Sequence, residues 1–123
     1  MKLRILDNTL RLRLARDETD RIGLGLPVAS STRFPDASTF GYELHSNGSA
    51  LDATFDAGVI KITVPTDAAR HWATSETAVS IKGSVECGGS TLKVLVEKDF
   101  ECLTPREGEN HDNRFPNPNK AEG

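Results

Sequence analysis

Two stretches, LRLRLARD at residues 10–17 and IKITVPTD at residues 60–67, decide how this chain is read. Each alternates aliphatic with polar or charged side chains, the period of two that lays one face of a strand on a core. Each then meets an acidic residue that opens a short helical segment. The two stretches lie fifty residues apart, and the same offset sets Ile22 against Trp72, Tyr42 against Leu92 and Leu44 against Val94. Read backwards, the match continues with a two-residue slip at the preceding turn. Self-similarity at a fixed spacing is the mark of a repeated unit.

Working outward from the first stretch, Leu3 and Ile5 alternate with Lys2 and Arg4, and Asp7-Asn8 supplies a turn. Leu10, Leu12 and Leu14 face inward, with Arg11 and Arg13 facing out. Asp17 and Glu18 put acid at the start of a short helix, where the helix dipole favours it, and Gly23 and Gly25 end it. Strands over 28–34 and 38–45 complete the half. The second half repeats the plan with strands over 51–55 and 59–64 around the turn Asp56-Ala57-Gly58. Pro65 closes the strand, Thr66 is the expected N-cap of a helix over 67–73, and strands over 78–82 and 91–97 flank Gly88-Gly89. The expected fold is mainly β (α+β). Antiparallel sheets arise from two duplicated ββαββ halves, packed as one sandwich or closed into a barrel, with two short helices. Residues 1–100 make a single domain of two pseudo-repeats, 1–48 and 49–100. Residues 101–123 form an irregular acidic, proline-containing tail, docked on the domain as far as about residue 118.

Composition bounds the function. The 123 residues suit one domain, 37% are hydrophobic and 6% aromatic, so the core is aliphatic. The net charge of −3 gives no overall pull toward nucleic acid or membrane. Basic residues nevertheless gather at the front, with seven Lys/Arg against six Asp/Glu in residues 1–48 and three against five in residues 101–123. The opening MKLRILDNTL lacks the apolar stretch of about 7–15 residues that a signal peptide carries. No apolar run approaches the roughly twenty residues that cross a bilayer. The expected location is therefore the cytoplasm, without a membrane partner.

The feature best suited to recognition is the outward face of the first hairpin. Lys2, Arg4, Arg11 and Arg13 share one side there, where cross-strand neighbours stand within about 5 Å. Four cations so close need solvent, an anion or an acidic partner. The same array also discourages edge-to-edge pairing. No aromatic residues interleave the arginines, so single-strand stacking is unsupported and nucleic acid is not the expected partner. The matching face of the second half, Asp52, Thr54, Lys61 and Thr63, is nearly neutral, so the patch belongs to one half. Glu101, Glu107, Glu109 and Asp112 in the tail suit the arginines as an internal cover.

Catalytic and metal readings are weaker. Cys102, Glu107, Glu109, His111 and Asp112 are ligand types crowded together, but their spacing matches neither a zinc site nor a calcium loop. Cys87 and Cys102 form no CxxC pair. His71 beside Trp72 suits a partly exposed structural place on the second helix. The string Gly23-Leu24-Gly25-Leu26 is too short for a dinucleotide loop, since Val28 stands where a third glycine belongs. The expectation is a non-catalytic interaction module without metal or cofactor, its basic face engaging an acidic protein or other anion. The alternative is a small enzyme or metal-dependent protein using Cys102 and the tail carboxylates.

Three stretches, MKLRILDNTLRLRL, ITVPTDAARHWA, and LKVLVEKDFECLTPREGE followed by RFPNP, resemble a family of small uncharacterised bacterial proteins. The resemblance implies no activity, substrate or cofactor, so it carries over no functional residues. It does add weight to the tail, because a signature ending is unexpected in free linker. That family has acidic residues around the position of His111, where this chain reads Glu-Asn-His.

Overall fold

The alternation at the front of the chain is a strand with every second side chain buried. β2 (Thr9–Leu14) buries Leu10, Leu12 and Leu14 and turns Arg11 and Arg13 outward. It pairs antiparallel with β1 (Lys2–Leu6), Lys2 opposite Arg13 and Arg4 opposite Arg11. The computed structural model describes residues 1–99. The expected tail therefore lies outside the described residues.

After the hairpin the chain enters α1 (Arg16–Gly23). The Glu18 carboxylate accepts the Ala15 N–H at 2.8 Å and pairs with the Met1 ammonium, which ties the strand start to the helix start. Gly25, at φ +86°, turns the chain out of the helix in a conformation glycine adopts without strain. β3 (Val28–Arg33) and β4 (Thr39–Gly48) follow as an antiparallel pair. The second hairpin, β5 (Asp52–Asp56) and β6 (Val59–Pro65), sets Asp52 opposite Thr63 and Thr54 opposite Lys61. Each of those pairs is the first hairpin's pair moved fifty positions on. The offset therefore runs unbroken through the turn, without the expected two-residue slip.

α2 (Thr66–Thr74) starts one residue earlier than expected, with Pro65 at the N-cap. Thr66 is thus not the cap. Its hydroxyl donates instead to the Ser46 carbonyl at 3.0 Å and fastens the helix start to β4. β7 (Ser80–Glu86) and β8 (Thr91–Lys98) close the described chain.

The strands form two four-stranded sheets, in the orders β1-β2-β8-β7 and β3-β4-β6-β5. Neither is purely antiparallel, and they do not close into one barrel. In each, a hairpin lies on either side and the two central strands run parallel, β2 beside β8 and β4 beside β6. The physical reason is connectivity. Each hairpin is antiparallel, but β2 and β8 are joined only by the long excursion through α1, the second sheet and α2. In the second sheet, β5 runs back from β4 on the far side of β6, so β6 returns in the direction of β4 and pairs with it parallel.

The buried cluster draws on every part of this plan. Leu12, Leu14, Val94 and Val96 enter from the first sheet, Leu44, Ile62 and Val64 from the second, and Ile22, Ala69 and Trp72 from the helices. Trp72 is the largest fully buried side chain, and its indole N–H donates to the Val79 carbonyl at 2.9 Å. Ser46, equally buried, donates its hydroxyl to the Ile22 carbonyl. Both interior polar groups are satisfied, as the cost of burying an unpaired donor demands.

Candidate anion-binding face

Residues in register across a sheet project to the same side. The row through Arg4 runs Arg4, Arg11, Leu95 and Lys82, and the row through Lys2 runs Lys2, Arg13, Glu97 and Ser80. The core residues Leu12 and Val96 occupy the alternate positions, so both rows face away from the core. The structure thus brings Lys2, Arg4, Arg11 and Arg13 together, and it adds two cations that the hairpin alone does not contain. Lys93 lies in the row of Leu6 and Thr9, and Lys82 in that of Arg4. Outward from this sheet stand six cations, Lys2, Arg4, Arg11, Arg13, Lys82 and Lys93, against Glu86 and Glu97. Lys82 and Lys93 were legible as outward strand residues, but nothing in local sequence places β8 beside β2.

Glu97 is the internal counter-charge. Its Oε1 accepts Arg11 Nε at 2.7 Å and Arg13 Nε at 2.9 Å, and Arg11 Nη2 stands 2.6 Å from the same oxygen. Lys2 Nζ lies 3.0 Å from an oxygen of Asp99. The Arg4 side chain has no hydrogen-bonding or ion-pair partner among the described residues. A shallow depression of about 310 Å³ lies over the β1–β2 hairpin, lined by Lys2, Leu3, Arg4, Arg11 and Arg13. The arrangement leaves the Arg4 guanidinium, with its five donors, facing water beside two arginines held in place by one carboxylate.

The outward side of the other sheet has the opposite balance. Arg33 and Lys61 stand there against Glu43, Asp52 and Asp56, with His45 Nε2 2.9 Å from Glu43 Oε1. A larger cleft of about 720 Å³ opens between the helices and the end of β8. Its lining mixes Arg16 and Lys98 with Asp20, Glu76 and Asp99, and Lys98 Nζ is taken by the Ser75 carbonyl. No single sign of charge selects a ligand there.

The remaining sequence candidates separate. His71 is exposed on α2 beside the buried Trp72. Cys87 is exposed in the β7–β8 turn, where its backbone N–H donates to Ser90 O at 2.8 Å. Cys102, Glu107, Glu109, His111 and Asp112, and with them the alternative catalytic or metal reading, lie outside the described residues. Among the described residues no group of three His, Cys, Asp or Glu is placed to hold a metal ion. No helix among them is long and apolar enough to cross a membrane.

Fold and face together define a mainly β protein of two mixed four-stranded sheets, with one outward face strongly basic. The chain belongs to DUF7009, a family of unknown function, whose model matches residues 1–119. No curated protein and no solved structure matches it.

Proposed function

We propose that this chain is a non-catalytic interaction module, and that the outward face of the sheet β1-β2-β8-β7 holds an acidic partner. The observation that carries the reading is Arg4. It stands directly opposite Arg11 on the outer strand of an array of six cations and two carboxylates, with no counter-charge of its own among the described residues. A protected edge needs one or two charges, whereas this array extends across all four strands. An acidic protein segment is favoured over nucleic acid because no exposed aromatic residue accompanies the arginines on this face.

We also infer that residues 1–48 and 49–100 are a duplicated pair within one domain. Gly23 and Ala73 support it, being fifty residues apart and meeting where the two helices cross. A Cβ added to Gly23 would lie 2.6 Å from that of Ala73. Equivalent residues meet in this way beside a two-fold axis. On this reading Lys2, Arg4, Arg11 and Arg13 correspond to Asp52, Thr54, Lys61 and Thr63, so the basic character was acquired or kept by one face alone.

The test is Arg4→Glu, which removes no side-chain hydrogen bond or ion pair among the described residues. Affinity for an oligoglutamate peptide and for heparin at low salt should fall about tenfold for the charge reversal, with an unchanged circular-dichroism melt. Undiminished binding of both probes by a folded variant sinks the reading.

A further inference from the structure

We propose that the edge of β1 receives an extended acidic peptide as an added fifth strand of its sheet, a mode of recognition that rests on the basic-face reading and specifies its partner. β1 is an outer strand, and β2 is its sole strand partner among the described residues. Its five residues stay in unbroken register with β2, with no bulge and no proline, and its other edge has no strand partner among the described residues. Such an edge presents a row of unpaired backbone N–H and C=O groups, the template on which strand addition works.

The two sides of this edge differ in chemistry. On one side Lys2 and Arg4 continue into Arg13 and Arg11. On the other side Leu3 packs against the core while Ile5 remains 53% exposed. A strand laid along β1 sends alternate side chains to these two sides. Acidic residues at every second position would reach the cations and the depression beside Arg4, and aliphatic residues between them would cover Leu3 and Ile5. Charge complementarity and an uncovered apolar side chain thus point to one occupant, a segment in which Glu or Asp alternates with Val, Ile or Leu.

The molecule contains its own comparison. The edge of β5 has the same register fifty residues on, with Ala53 and Phe55 in the places of Leu3 and Ile5, but it carries Asp52 and Asp56. Like charge bars an acidic peptide from that edge, so strand addition is confined to β1.

The experiment uses the full chain and a fluorescent peptide alternating Glu and Val, with anisotropy as the affinity readout and hydrogen exchange as the site readout. Only one of the two alternate sets of peptide N–H groups can face β1. Of two peptides N-methylated on one set or the other, one should therefore bind about tenfold more weakly and the other as well as the parent. Amides of β1 should gain protection while those of β5 do not. Equal binding by both methylated peptides, or by a peptide with the Glu and Val residues segregated into blocks, overturns strand addition. Heparin binding that persists alongside that result leaves the basic face intact as an anion site. Loss of every probe at low salt overturns the face and the edge together.

Discussion

Replacing Glu97 by Gln removes one negative charge from the centre of the basic face while keeping shape and one acceptor oxygen. In the parent, that carboxylate serves Arg11 and Arg13, whose side chains are 30% and 35% exposed, and is itself 12% exposed. Pairs this open to solvent are worth about 0.2–1 kcal/mol each, so the two together hold about 1 kcal/mol. Loss of that amount lowers the melting temperature of a domain this size by roughly 3–5 °C. Two consequences separate this account from simple loss of packing. First, Arg11 and Arg13 then repel each other and Arg4 without their shared counter-charge, so the variant should recover most of its deficit in about 0.5 M salt, where the Debye length is only about 4 Å. Second, the face gains one net positive charge, so oligoglutamate should bind roughly tenfold more tightly at low salt. Calorimetric melts at two salt concentrations and a titration with the peptide measure all three effects. A melting temperature within about 1 °C of the parent at low salt, with unchanged peptide affinity, refutes the view of Glu97 as internal counter-charge.

Two further outcomes follow from the turns. Gly58 has φ +79°, and a Cβ there would stand 2.8 Å from the Thr39 carbonyl oxygen, a backbone atom without freedom to move away. Gly58→Ala should therefore cost about 2–3 kcal/mol in a urea melt, and a loss below about 0.5 kcal/mol would show that the turn relaxes freely. Asp36 is held below the ordinary carboxylate value of 3.8, first by the Ser38 hydroxyl at 2.6 Å and then by the Ser38 N–H at 3.0 Å. A lowered folded pKa means its contribution to stability is present above 3.8 and disappears as the pH falls through the folded value. The carboxyl resonance of Asp36 should titrate below 3.8 in the parent and return toward that value in Ser38→Ala. A midpoint at or above it in the parent contradicts the hydrogen-bonded turn.

Alternation, helix-start acids and turn residues located the strands and helices of the described chain, because alternating burial and short helical stretches are properties of neighbouring residues. The bounds differ in places, since β7 runs over Ser80–Glu86 instead of 78–82 and β4 continues to Gly48. Leu10, Leu12 and Leu14 are buried and Arg11 and Arg13 face out, as a period of two requires. The hairpin core of the basic face was legible for the same reason, since Lys2, Arg4, Arg11 and Arg13 lie on two strands joined by a tight turn. Several features were decided at longer range. Thr66 reads as a helix cap, yet its hydroxyl is claimed by Ser46 of β4, a partner twenty residues away. The parallel pair β2–β8 depends on α2 returning the chain to the first sheet, and β4–β6 on β6 inserting between β4 and β5, and no local pattern records either choice. Lys82, Lys93 and the counter-charge Glu97 join the face only through the first of those pairs. Sequence by itself determined the elements and the sign of the first hairpin. Tertiary structure decided the mixed sheets and the extent of the face, because side-chain alternation is written locally, whereas the partner of a central strand is selected by burial across the whole chain.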